Sequence, residues 1–395
     1  MKNGLIILFL SFFLLACGGG GGGNSDGTQE TDNSINTLPV DSVIEGDLEI
    51  IRTGLSSLSG LINLETVKQD LIIKYNSNLT SLTGLDNLKV VGGSLVLDLN
   101  RNLEALTGLE NLRSIGGDLY INASHSLSSL AALKNLKFIG GSLIISLNSE
   151  LTTLAGLEGI DTIEGGVRIE NNIKLATLDG LNNLGGVVSE LSIQSNAALS
   201  TLTGLENLQL VGALFINSNI ELTALTGLEN LYLIMGDVDI FDNATLDSLS
   251  GLDGLEIVGE NFDIHSNSSL VTLAGLESLQ YIGEDFQVAE NDSLVSLVGA
   301  EELLSIEGGL AIVSNPNLES LEGFGNLESI DGGFLVSNNE RLISVMDMLH
   351  LTFVGNDFSI IGNEALCNSN SAALLNQVVE HGGVGALIEI DNKSC

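Results

Sequence analysis

The sequence predicts an all-β solenoid of about thirteen coils, and three observations predict it. The glycine of a T-G-L-x-x-L motif recurs every 24 residues, at Gly60, Gly84, Gly108, Gly156, Gly180 and Gly204. It continues from Gly227 to Gly323 after one step of 23, with Ala132 and Asp347 filling the column where glycine is absent. A second column reads Asn76, Asn100, Asn148, Asn172, Asn196 and onward to Asn363, with Ser124 as its sole exception. A third signal is a pair of aliphatic columns two residues apart, such as Leu95 and Leu97 or Leu119 and Ile121. Self-similarity at a fixed period marks a stack in which each repeat buries its face only against its neighbours.

Each part of the coil follows in turn. Aliphatic residues spaced by two between variable ones form a strand with one buried face. Leu79, Leu82, Leu85, Leu88 and Val91 recur about every three residues and suit a chain bending around a core in tight turns. Glycine pairs such as Gly92-Gly93, Gly116-Gly117 and Gly140-Gly141 precede the strand, where a corner is expected to need φ > 0. The asparagines are expected to form a buried ladder, because an unpaired buried amide costs about 1–3 kcal/mol. Coils about 4.8 Å apart would make thirteen of them span about 60 Å.

The segment "L-T-S-L-T-G-L-D-N-L-K-V-V-G-G-S-L-V-L-D-L-N" at Leu79–Asn100, with its copies from about Leu48 to Leu366, resembles the receptor L-domain family. The resemblance implies a right-handed parallel β-helix. Receptor L-domains have fewer coils and cysteine-rich neighbours, and nothing here looks like a kinase, so signalling is not carried over. The alternative architecture is a leucine-rich-repeat horseshoe. In that motif one residue separates the asparagine from the next leucine, whereas Asn76-Ser77-Asn78-Leu79 has two.

The ends predict an address. Met1-Lys2-Asn3, an apolar run from Leu5 to Ala16, and small residues before Cys17 read as a signal peptide over 1–16. Leu14-Leu15-Ala16-Cys17 resembles the bacterial lipobox, which implies acylation of Cys17. Residues 17–40 then form a glycine-rich polar tether with a mean reach of about 25 Å. Gly18, rather than aspartate, after the cysteine favours the outer membrane under the usual sorting rule. The solenoid is assigned to 41–366 and a terminal cap to 367–395. Cys367 and Cys395 remain as a disulfide pair worth about 3 kcal/mol. Within the cap, Ser371–His381 reads as a helix ended by Gly382-Gly383, and Ala386–Ile390 as a strand.

Charge and motifs bound the function. With 51 acidic against 13 basic residues, and a net charge of −38, the surface repels nucleic acid and anionic membrane. The four histidines fall in different columns, and no Ser-His-Asp, HExxH, phosphate-loop or calcium-nonapeptide pattern appears. The expected role is a monomeric, lipid-anchored cell-envelope scaffold that binds a protein or glycan in adhesion or capture, without catalysis. A spacer without a ligand and a carbohydrate-active β-helix enzyme are the alternatives. Val96, Tyr120 and Ile144, stacked on the outward strand face, are the candidate ligand strip. The one expected cofactor is Ca²⁺, held weakly by Asp237, Asp239, Asn261 and Asp263 with Asp285 one coil on, since close carboxylates repel unless relieved.

Overall fold

The computed structural model describes residues 6–8, 42–385 and 388–395. Cys17, the tether and all of the expected signal peptide except Ile6–Leu8 therefore lie outside the described residues. Ile6–Leu8 is a strand parallel to Leu48–Ile50.

Each coil contributes two strands. A two-residue strand such as Val90–Val91 is followed by a four-residue strand such as Leu95–Asp98. Every pairing is parallel and steps one coil along, as in the register Leu71, Leu95, Leu119, Leu143. The four-residue strands form a wide ladder from Leu48–Ile51 to Ile388–Asp391. The two-residue strands form a narrow ladder from Val43–Ile44 to Gly383–Val384, interrupted between Phe138–Ile139 and Thr162–Ile163. Two strands per coil match the predicted parallel β-helix better than a horseshoe built on one. The first coil is also 23 residues from the second in register, and the 23-residue step in the T-G-L column is absorbed where the two ladders fuse, in Gly186–Gln194 and Leu210–Asn217. A register shift between Val187 and Glu190 takes up the missing residue there.

The core is continuous from end to end. Leu95, Leu97, Leu103, Leu106, Leu109, Leu112 and Ile115 of one coil are all fully buried, and the pattern repeats along the stack. The helix Asn368–His381 covers the last coil with Leu374 and Val378, both fully buried. It starts three residues before the predicted Ser371, on the polar run Asn368-Ser369-Asn370. Gly382 follows it, and Cys367 bonds Cys395 across a Cα–Cα distance of 5.5 Å. The final strand begins at Ile388.

The asparagine ladder is present and makes two kinds of bond. The Asn148 N–H donates to Asn172 Oδ1 at 3.0 Å, and Asn172 Nδ2 donates back to the Ile145 carbonyl at 2.9 Å. Asn196 and its successors repeat this. Asn392, 29 residues past Asn363, supplies the last rung by accepting from the Asn363 N–H and donating to the Ile360 carbonyl. At Ser124 the rung fails, because its fully buried hydroxyl has no hydrogen-bond partner.

The left-handed corners are not where the sequence placed them. Gly92-Gly93, Gly116-Gly117 and Gly140-Gly141 all have ordinary φ. Those pairs instead allow close approach of adjacent coils: a Cβ on Gly116 would lie 2.1 Å from the Gly92 carbonyl oxygen. Positive φ occurs at the T-G-L glycines from Gly84 to Gly323, for example 120° at Gly156, but not at Gly60 in the 3₁₀ segment Ser59–Leu61, and it occurs at the residue just before the ladder asparagines. Thirteen non-glycine residues, from Arg52 to Asn338, occupy that second corner. Where the T-G-L column holds Ala132, the turn becomes a 3₁₀ segment, Ala131–Leu133, and the steric demand disappears.

The ladder makes two opposite expectations. Asn172→Ala strips a partner from two buried backbone groups at ~1–3 kcal/mol each, so stability should fall by roughly 2–5 kcal/mol. Ser124→Asn should restore the missing rung and gain about 1 kcal/mol. Chemical denaturation of both variants beside the parent, with amide hydrogen exchange localising the change, checks the pair; a neutral Asn172→Ala would remove the ladder as a stabilising element.

Candidate functional site

The outward face of the wide ladder carries every residue singled out for binding. Val96, Tyr120 and Ile144 stand in direct register on three successive strands. All three are half-buried rather than open, since neighbouring side chains crowd the strip. A shallow pocket of about 300 Å³ lies beside it, lined by Asp70, Lys74, Ser94, Val96, Asp98, Asp118 and Tyr120. Burial, with the carboxylates of Asp98 and Glu170, pushes the Tyr120 phenol above its ordinary range, so the ring presents a neutral hydroxyl. Arg168, next in register after Ile144, pairs with Glu190 and closes the strip on that side. The pocket therefore offers an aromatic hydroxyl, one ammonium and several carboxylates around an apolar wall. Such a set can hydrogen-bond a polar ligand but contains no base held against a nucleophile.

The acidic square predicted to hold Ca²⁺ is assembled in register but differently employed. Asp237 Oδ1 accepts from the Asn261 N–H and from Asn261 Nδ2 at 3.0 Å, and Asn261 Oδ1 accepts from the Asp285 N–H. Asp239 and Asp263 are direct partners across the ladder. His265 sits 3.4 Å from Asp239 and stacks on Phe241 with centroids 4.9 Å apart. Burial pushes both carboxyls up; Asp237 adds to the rise at Asp239, while Asp239, Asp237 and Asp285 add to it at Asp263, and His265 opposes it at both. His265 thus stands beside two of the carboxylates that were expected to hold a cation. Among the described residues no group of three or more His, Cys, Asp or Glu is arranged to hold a metal ion.

Sequence reasoning missed the backbone work of these carboxylates. Asp70 Oδ1 accepts from the Ser94 N–H, Ser94 Oγ from Asp118, and Asp118 Oδ1 from Ser142, a second ladder along the edge of the wide strands. The acid two residues after the T-G-L glycine caps that glycine's N–H, as Glu158 does for Gly156 at 3.0 Å. The asparagine one further on bridges coils, as Asn111 Nδ2 does to the Asp86 carbonyl at 2.7 Å. The G-L-[DE]-N pattern carried the last two of these, but it reads as solvated turn until the coil geometry is known.

A larger concavity was also missed. In the second ladder most coils place Asp, Ser or Asn, with Gly166, Glu190 and Ala213 at mid-stack, but only Gly309 and Gly333 are two glycines in succession. The loss of two side chains opens a trough of about 550 Å³ on the wide face. It runs from Asp263 to Glu389, with Gln287, Ala311, Leu335 and Ser359 in register between them.

A pH effect follows from the Asp239–Asp263 pair. A carboxyl whose pKa is raised on folding destabilises the protein once it ionises, so the cost is absent below the unfolded value near 3.8 and grows as pH rises through the folded one. Asp263→Asn should therefore raise the melting temperature at pH 7, and the difference should shrink to nothing in acid. Melting curves of parent and variant between pH 3 and 8 check this; a constant difference would mean that charge is not the cause.

Among solved structures the chain is similar to the one in "Crystal structure of TLR13-ssRNA13 complex", at 17% identity and a TM-score of 0.30. The match covers 86% of this chain and 56% of that one, and at that score it supports no functional inference. No curated protein sequence matches significantly. Residues 89–180, the stretch that contains Val96, Tyr120 and Ile144, match the Receptor L domain family.

Proposed function

We propose that the protein is a non-catalytic cell-envelope scaffold that binds a protein or glycan ligand on the outward face of its wide ladder. The observation that carries this is the coincidence of the receptor L-domain match over residues 89–180 with the in-register Val96–Tyr120–Ile144 strip and its adjoining pocket. A half-buried aromatic with a free hydroxyl beside aliphatic neighbours suits the stacking and hydrogen bonding that sugars and peptide backbones both offer. A rigid stack also presents such a face without an ordering cost on binding. The nucleic acid named in the TLR13 structure is not carried over, since a net charge of −38 repels phosphate.

The anchor is the second part of the proposal. Acylation at Cys17 would hold a monomeric chain at the outer membrane through the 17–40 tether. No helix among the described residues is long and apolar enough to cross a membrane, so attachment of this kind is consistent with the fold. Cleavage before Cys17 would also release Ile6–Leu8 and leave Leu48–Ile51 as the first strand of the wide ladder.

One experiment separates the readings. The full chain and Tyr120→Ala are applied to glycan and surface-protein arrays, with cell fractionation and fatty-acid labelling of the parent. Binding that drops at least tenfold in the variant supports the strip. Binding indifferent to the change removes this face from consideration, turnover of an arrayed glycan overturns the non-catalytic assignment, and an unlabelled parent overturns the anchor.

A further inference from the structure

The stack is electrically lopsided along its axis. Of the 51 acidic residues, 32 lie after residue 174, against two of the 13 basic ones, Arg341 and Lys393. The trough of about 550 Å³ lies wholly within this acidic half, and no basic residue lines it. Its walls carry Asp263, Asp285, Asp357 and Glu389, and its floor includes the apolar side chains of Ala311 and Leu335. A surface built only for solubility has no need of a concave apolar floor.

The backbone of the trough is also incomplete. In most of the second ladder, Gly166 and Ala213 apart, a side chain on one coil accepts from the N–H of the next, as Asp285 does for Gly309 at 2.6 Å. Gly309 has no side chain to offer the Gly333 N–H, so the rung is missing at the centre of the trough. The trough thus combines carboxylates, an apolar floor and a backbone donor without its usual side-chain acceptor.

We propose that this trough binds an extended, lysine- or arginine-bearing peptide segment of a partner protein. The cationic side chains meet the flanking carboxylates, the alkyl stems lie on Ala311 and Leu335, and a peptide carbonyl takes the place of the missing rung at Gly333. The dimensions agree. Asp263 and Glu389 are separated by five ladder steps of about 4.8 Å, or about 24 Å, which matches seven extended residues at about 3.3 Å each. The site is independent of the Val96–Tyr120–Ile144 strip, so either reading can fail alone.

The test is fluorescence anisotropy of the full chain with a labelled eight-residue peptide alternating lysine and alanine, and with its glutamate counterpart. The lysine peptide should bind and weaken steeply between 0.05 and 0.3 M salt, and the glutamate peptide should not bind. Ala311→Trp, which fills the floor, and the pair Asp263→Asn/Glu389→Gln should each weaken binding at least tenfold. The charge-matched pair Glu319→Gln/Glu340→Gln, off the trough, should change it less than twofold. Circular dichroism confirms that each variant is folded. Equal losses for both charge pairs would reduce the effect to general attraction by a polyanion and overturn the proposal, as would full-strength binding by Ala311→Trp or by the parent for the glutamate peptide.

Discussion

The buried asparagine ladder is the constraint on which the rest of the coil depends. The residue before each ladder asparagine is held at positive φ, 58° at Leu147 for example, and only Gly362 in that column is a glycine. A left-handed corner costs a side-chain-bearing residue about 1–2 kcal/mol. Thirteen such residues are nonetheless held there. The corner turns the following asparagine inward, where one side chain both accepts from and donates to the backbone of the coil before it. Two buried backbone groups satisfied per rung offset the strain of the corner. Replacing the corner with a relaxed conformation would point the amide outward and leave both groups without a partner.

Much of this was legible because thirteen copies of one repeat act as an internal alignment. Periodicity of 24 gave the coil, spacing of two gave the wide strand, and the near-invariant asparagine gave the ladder. The corners were misassigned for a physical reason. Glycine serves both positive φ and close backbone approach, and the sequence does not say which. At Gly116 it is the approach, and at Gly156 both apply, since a Cβ there would lie 2.2 Å from the Leu130 oxygen. Asn392 was missed because the cap helix breaks the period, so the last rung comes after 29 residues instead of 24. The candidate strip was placed correctly because register in a parallel stack follows from the repeat alone. Its half-buried state depends on flanking side chains that the repeat does not fix. The trough escaped notice because its cause is two glycines in one column, and two glycines look unremarkable in a chain with 47.

The acidity of the chain has a structural component that composition conceals. Glu110, Glu158, Glu206, Glu229, Glu277 and Glu301 each cap the N–H of a turn glycine two residues earlier. Asp70, Asp118, Asp237 and Asp285 cap backbone N–H groups of the next coil. A carboxylate is the stronger acceptor for such a bond. In a repeat protein, that local preference is multiplied by the number of coils. Like charges then line up along the axis, and their mutual repulsion is modest because solvent and salt screen exposed groups. Where screening is poorest, at half-buried Asp239 and Asp263, the chain places His265 beside them.

Repetition also lets the two halves of the stack differ in outward chemistry without differing in fold. The inward columns and the asparagine ladder use nearly the same residues from end to end, so each coil is stable on its neighbours whatever faces outward. The outward column is then free to change. In the first coils it is aliphatic and aromatic, and basic residues such as Lys74 and Arg168 pair with nearby acids. In the last coils it turns to Asp263, Gln287, Ala311 and Leu335, and the side chains beside it shrink to glycine. The loss of two successive side chains from one column of the second ladder is enough to hollow the surface, because the backbone of a parallel stack stays in register without them. On such a frame a concavity can open through the loss of side chains alone, and the consecutive glycines at 309 and 333 line the trough in this chain.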